Sequence, residues 1–361
     1  MTPPLRDFIH SLPKTETHLH IEGALPWHLL CELRPDKYST PPASWAPDFR
    51  FDSFAHFEGE LLGYAGDFFT SAERYHACAK AIFEDHLHRN VRYVETSFAS
   101  GCIDFMNLDG REVCDAIRSA VPEGLEVRIF LGIHHDGYTE KMGPVLESAL
   151  RWQNLDGIDL HGTEDTPMGD WAPDYWRRAR DAGKFTKAHA GEFCGAEFVR
   201  YAVEKLGAQR IQHGVRSIED PEVLAMLRDR GIALDVCPIS NVKLRIVPSP
   251  GEHPIKQLLD AGVVCTVSTD DPISFGNSIE DEYEFLAREL GFSEKDLAKS
   301  EPSRAASMAA AYDKWWDDVY PVMIERGGDL EMKWDKKLFE KKTPAKPQQT
   351  QESKGEKNLN S

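Results

Sequence analysis

The chain has 361 residues, 41% of them hydrophobic, and carries a formal net charge of −18. That length and apolar content suit one large α/β barrel or two average domains. The acidic field argues against nucleic acid and anionic membrane as partners and leaves room for a small neutral or cationic substrate.

The N-terminal stretch MTPPLRDFIHSLPK has no long apolar core, and no run approaches the length of a membrane span, so neither a signal peptide nor a transmembrane helix is expected. The seven cysteines are scattered without a CxxC pair, which suits free thiols in a reducing cytoplasm. The first predicted element is a strand around THLHIEG (17–23). Successive strand side chains face opposite ways, so His18 and His20 project together, at a spacing that suits two ligands of one metal ion. The stretch from Leu25 to about Arg89 is too long for a single crossover helix and is expected to hold several helices. Trp45, Phe51, Phe54, Phe57 and Phe68 read mainly as the core of that insertion, with one or two walling a pocket.

Seven more β-rich runs follow: VRYVETSF (91–98), LEVRIFLGI (125–133), GIDLHG (157–162), FTKAHAGE (185–192), RIQHGV (210–215), IALDVCP (232–238) and VVCTVSTDD (263–271). GAEFVRYAVEKLGA shows helical spacing and closes on Gly207. PEVLAMLRDRG opens on Pro221 and closes on Gly231, the expected helix punctuation. Eight strands alternating with helices specify a parallel sheet, and the count favours a closed (β/α)8 TIM barrel with a helical insertion after strand 1. An open doubly wound sheet would want a Gly-rich phosphate loop after an early strand, and the sequence has none. The barrel is expected to span residues 1–337. From Leu338 the chain turns to Lys, Gln, Pro and Ser, so 338–361 reads as a disordered polar tail.

The residues with chemical potential collect at predicted strand ends, where barrels of this kind place their active sites. His18 and His20 end strand 1, His189 strand 5, His213 strand 6, and Asp270 with Asp271 strand 8. Three imidazoles and a carboxylate are ligand types of Zn²⁺, which lowers the pKa of bound water towards about 7. Glu192, three residues past His189, is placed to donate a proton. His213 is placed to steer or deprotonate the water, and Asp271 to hold the substrate.

The motifs HLHIEG, HAGE, QHGV, CPISN and STDDP, in this order, resemble the adenosine and adenine deaminase branch of the amidohydrolase superfamily over roughly residues 10–315. The resemblance implies a single Zn²⁺ on His18, His20, His189 and Asp270, with His20, Glu22, Gly162 and Asp271 facing the substrate. It implies that Glu192 protonates purine N1, that His213 and the metal deliver hydroxide to C6, that Asp271 bonds N7, and that the Gly162 backbone meets N3. Ammonia would be lost from a small-molecule purine. Cytidine-type deaminases are excluded, because their HxE and PCxxC zinc ligands have no counterpart around Cys237-Pro238. A two-metal relative would carry a bridging lysine where this chain has Ile158-Asp159-Leu160-His161-Gly162.

The specificity signals conflict. Glu22 stands where adenosine deaminases carry aspartate and adenine-specific relatives glutamate, whereas Gly162 is a residue the adenine enzymes usually lack. ETSFAS lacks the arginine found there in many members, which argues against a phosphorylated nucleoside. A side chain at Gly162 would crowd a sugar, so a nucleoside, adenosine or a 5′-modified adenosine, is expected ahead of adenine. Adenine, aminodeoxyfutalosine and a catalytically silent purine-binding role are the alternatives. His134, His135 and His161 read as rim histidines, and neighbours 134 and 135 are not expected to face one pocket together.

Overall fold

The computed structural model describes residues 5–293, 296 and 297. The tail expected at 338–361 lies outside the described residues. Eight parallel strands run in order around a barrel: β1 (Lys14–His20), β2 (Val91–Ala99), β3 (Glu126–His134), β4 (Gly157–His161), β5 (Phe185–Ala190), β6 (Arg210–His213), β7 (Ala233–Val236) and β8 (Cys265–Val267). Closure comes three residues beyond β8, where Asp270 bridges to Leu19. There the Asp270 N–H donates to His18 O at 3.1 Å, and the His20 N–H donates to Asp270 O at 3.2 Å. The barrel is therefore sealed by the residues expected to carry the chemistry.

Several boundaries differ from the sequence expectation: β8 ends at Val267 with Asp270 and Asp271 beyond it, β5 ends at Ala190 before Glu192, and β6 and β7 end at His213 and Val236. β1 stops at His20, and Ile21 and Glu22 lie in a turn closed by the Ala24 N–H on His20 O at 2.8 Å. The helix after β5 is α-helical over Ala196–Tyr201 and then widens to a π turn over Ala202–Leu206. Gly207 ends it in the left-handed region at φ 68°, and the Arg180 guanidinium donates to the terminal carbonyls of Leu206 and Gly207. The next helix, Pro221–Arg230, follows its punctuation: Asp220 caps the Glu222 N–H at 2.8 Å, and Gly231 ends it at φ 65°.

Between β1 and β2 lie helices Trp27–Leu33, Phe54–Phe68 and Ala72–His88, with a short 3₁₀ turn at Ala43–Trp45. Phe51 and Phe57 pack with Leu244 and Phe275 in a small separate core, and Trp45 Nε1 donates to Ile273 O at 2.7 Å. These contacts bind the segment to the loops after β7 and β8. No helix of the described residues is long and apolar enough to cross a membrane.

Outward-facing Ile158 and Leu160 of β4 and Leu234 and Val236 of β7 are fully buried in the apolar layer between barrel and helices. The barrel floor is ionic instead. Lys187 of β5 donates to Thr17 O at 2.6 Å, pairs with Glu95 and lies 3.5 Å from Asp235. Asp235 also takes Arg210 Nε at 3.1 Å and the Thr17 and Thr266 hydroxyls at 2.9 and 2.6 Å. Burial opposes the Asp235 charge, but Arg210 and Lys187 overcome it and hold that carboxyl well below its usual range. Removing one partner of such a buried set leaves uncompensated charge. Lys187→Met is expected to lower unfolding stability by about 3–5 kcal/mol in urea titration. A loss below about 1 kcal/mol, the size of an exposed pair, would contradict this account.

Candidate metal centre and catalytic pocket

His18 and His20 alternate onto one face of β1, and His189 reaches the same point from β5. Their Nε2 atoms lie 3.1 Å (18–20), 3.1 Å (18–189) and 3.3 Å (20–189) apart. Asp270 Oδ1 joins them at 3.3 Å from His18 and 3.2 Å from His20. Whether this set fits a cation is decided on the far side of the rings. His18 Nδ1 donates to Asp235 O at 3.1 Å and His189 Nδ1 to Leu160 O at 2.7 Å, since a carbonyl can only accept. In the neutral rings both Nε2 atoms therefore carry lone pairs and face each other at 3.1 Å. Two acceptors held that close form no hydrogen bond; they form a cation cradle. Ligands about 2.0–2.1 Å from one zinc ion lie roughly 3.3 Å apart, so the spacing fits as well.

The supports of the cradle come from separate elements around the barrel. Ser97 of β2 meets His20 Nδ1 at 3.0 Å, and the Ser240 hydroxyl donates to Asp270 Oδ2 at 2.6 Å. Burial lowers the His20 pKa to about 4, against the pull of Asp270. Burial would raise Asp270, but the His18 and His20 contacts prevail and hold it well below the usual carboxylate range. Asp270 and His213 both have positive φ, 67° and 58°, a conformation that side-chain-bearing residues rarely keep without local reinforcement.

Glu192 stands in the loop after β5, its Oε2 3.5 Å from His213 Nε2. Burial, then the charges of Asp270 and Glu164, push its carboxyl well above the usual range. Asp271 is raised likewise, by burial and by Asp270. One oxygen of each, Glu192 Oε1 and Asp271 Oδ1, is buried without a hydrogen-bond partner. Glu22 Oε1 accepts from the Tyr75 hydroxyl at 2.8 Å and from the Ala99 N–H at 3.0 Å. Burial raises the Glu22 carboxyl, and these two bonds work against that shift.

Gly162 follows β4 at φ +87°, and a Cβ there would lie 3.5 Å from His134 Cγ, an ordinary contact. The positive φ by itself favours glycine here. Gly162 lines a polar cleft of about 170 Å³ with Glu58, His134, His135 and Asp136. His134 and His135 thus share a cleft, against the expectation from strand alternation. β3 ends at His134, so alternation no longer governs residue 135. His161 turns inward instead, its Nε2 3.3 Å from Asp159.

Sequence reasoning passed over several residues that hold the site. Asp159 stands 3.5 Å from His189 Nδ1, and Glu164 accepts the backbone N–H groups of Glu192 and Cys194. A Cβ at Gly23 would overlap the Asp271 carboxylate at 1.6 Å, so only glycine lets Asp271 lie there. Ser240 and Asn241 belong to the quoted CPISN motif, although the motif alone names no partners for them.

With this geometry in hand, the family model for adenosine deaminase matches residues 13–315. The chain belongs to the adenosine deaminase family. Similar proteins include an aminodeoxyfutalosine deaminase of Streptomyces avermitilis, 35% identical over 308 residues, covering 81% of this chain and 86% of the relative. An adenine deaminase of Rhizobium etli is 34% identical over 316 residues, covering 84% and 96%. Among solved structures, an adenine deaminase from Arthrobacter aurescens superposes with a TM-score of 0.72 at 25% identity, covering 84% of this chain and 99% of that one. As a member of this deaminase family, the chain is a hydrolase that cleaves a C–N bond.

Elemental analysis of protein purified without chelator is expected to give about one equivalent of zinc, falling to a small fraction in His189→Ala. Two equivalents, or full retention in that variant, would contradict a single four-residue centre.

Proposed function

We propose that the chain is a zinc-dependent hydrolytic deaminase of a 6-aminopurine nucleoside, with one Zn²⁺ held by His18, His20, His189 and Asp270. One observation carries the reading: two buried acids with unpartnered oxygens, Glu192 and Asp271, border a cradle of histidine lone pairs. Purine N1 and N7 are both acceptors, and each needs a donor. Carboxyls kept neutral by burial supply donors where ionised ones could not. The bound cation would supply Lewis-acid activation of water.

Glu192 holds its proton for ring N1, which makes C6 electrophilic. His213 addresses the water, and Asp271 fixes the ring through N7. The Gly162 N–H meets N3, and His20 borders the purine. The reaction adds water at C6 and releases the exocyclic amine as ammonia.

Preference for a nucleoside rests on the cleft beside Gly162, which offers space for a substituent beyond the purine. Glu58 and Asp136 line that cleft and make a phosphate unwelcome. Glu22, in the turn after β1, is the residue proposed to reach a ribose hydroxyl. All seven cysteines are free, in keeping with a cytoplasmic enzyme.

Assays of adenosine, 2′-deoxyadenosine, adenine and aminodeoxyfutalosine by loss of the adenine absorbance test the substrate. A nucleoside is expected to give the highest kcat/KM; a higher value for adenine than for every nucleoside would overturn that part. Glu22→Gln is expected to raise KM more than it lowers kcat.

Glu192→Gln should keep the metal and lose at least about a hundredfold in kcat. The raised pKa of Glu192 also sets a sign. Its proton is present below that pKa and lost above it, so kcat/KM should fall on an alkaline limb. Near-normal turnover in Glu192→Gln would remove Glu192 from the mechanism.

A further inference from the structure

A chain of buried hydrogen bonds runs from the loop after β7 to His213, and each link has a determinable direction. The first donor is a backbone N–H: Ile255 N donates to His253 Nδ1 at 3.2 Å. A ring nitrogen that accepts carries no proton, so the neutral His253 ring carries its hydrogen on Nε2. His253 Nε2 lies 3.3 Å from Asn241 Oδ1, an oxygen that can accept it. That contact orients the Asn241 amide and leaves Nδ2 as the atom 3.1 Å from His213 Nδ1. An amide nitrogen only donates, so His213 Nδ1 accepts. The proton of neutral His213 must then sit on Nε2, the nitrogen facing Glu192 Oε2 at 3.5 Å and Asp270 Oδ2 at 3.8 Å. His213, Asn241 and His253 are 1%, 0% and 3% exposed, so water has little access to reverse any link.

We propose that Asn241 and His253 are positioning residues that lock His213 in the Nε2–H tautomer, so that it steers the attacking water as a hydrogen-bond donor and does not deprotonate it. This rests on the proposed placement of His213 beside that water. It decides between the two roles that the sequence left open. The backbone supports the lock. The Asn241 N–H donates to Cys237 O at 2.9 Å, and Asn241 O accepts from Ile246 and Val247 at 2.9 and 3.1 Å, so the amide-bearing residue is itself fixed. His213 sits at φ +58°, which holds the ring at the end of β6 where the chain turns.

The test exploits opposite expectations. Asn241→Asp replaces the donor with a second acceptor, which draws the His213 proton to Nδ1 and leaves a lone pair on Nε2. If His213 donates to the water, kcat falls by at least about tenfold with KM and zinc content little changed, as for a histidine held in the wrong tautomer. If His213 is the base, the same variant supplies the tautomer a base needs, and kcat is kept or raised, which overturns the proposal. Nitrogen-15 spectra of histidine-labelled full-length protein, assigned by loss of the signal in His213→Gln, read the tautomer independently of turnover. The expected result is an unprotonated Nδ1 in the parent chain and a protonated one in Asn241→Asp. A protonated Nδ1 in the parent chain would sink the lock outright.

A second pair covers the case in which a buried aspartate prevents folding. His253→Gln retains an N–H to offer Asn241 and is expected to stay within about threefold of the parent kcat, whereas His253→Leu drops by tenfold or more. Equal losses in the two would mean a packing role and count against the proposal. If His213→Gln itself turns over normally, the placement of His213 fails while the tautomer measurement still stands.

Discussion

Three imidazole nitrogens within 3.3 Å of one another, with a carboxylate oxygen within 3.3 Å of two of them, form an arrangement that repels itself until a cation is bound. The protein must therefore hold it by force from outside, and the barrel is built to do so. His18 is anchored to the Asp235 carbonyl of β7, His189 to the Leu160 carbonyl of β4, and His20 to Ser97 of β2. Asp270 is anchored to Ser240, just past β7. The cradle thus depends on the mutual register of strands from all around the barrel. A slip of one residue in a strand turns each of its side chains to the opposite face, so the site constrains the fold as much as the fold constrains the site.

The ionic floor has its meaning in the same constraint. Lys187 lies two residues before His189 on β5, and its ammonium binds the carbonyl of Thr17, the residue before His18. The Thr17 hydroxyl in turn binds Asp235, whose carbonyl oxygen orients the His18 ring. A buried ion network gains little net stability over apolar packing, because desolvation consumes most of its Coulomb energy. It does admit few alternative pairings. An apolar floor of equal volume would tolerate small shifts between β1 and β5 that would move His18 and His189 apart.

What the sequence made legible follows one physical rule. Period-two alternation puts His18 and His20 together, and strand ends collect His189, His213 and the Asp270 region, so local pattern suffices for the residues that point into the pocket. The residues that orient them were hidden for the complementary reason. Asp159, Glu164, Ser240 and Asn241 act through partners 28 to 30 positions away, and nothing in the local pattern of any one strand encodes that pairing. Gly162 was read only for the room it leaves, and its φ of +87° is a second reason for glycine that spacing cannot show. Strand 1 was read too far because Ile21 continues the apolar alternation. The backbone leaves the ladder only where the Ala24 N–H turns back onto His20 O.

Protonation completes the logic of the pocket. Glu22, Glu192, Asp270 and Asp271 crowd one buried region, and four ionised carboxylates cannot share it. Asp270 takes the charge because the histidines face it; burial pushes the Glu192 and Asp271 carboxyls well up, and it raises Glu22 against the bonds accepted from Tyr75 and Ala99. The net charge of −18 therefore says little about the pocket, which presents donors where sequence composition would suggest anions. Such a lining suits an uncharged heteroaromatic ring rich in acceptor nitrogens.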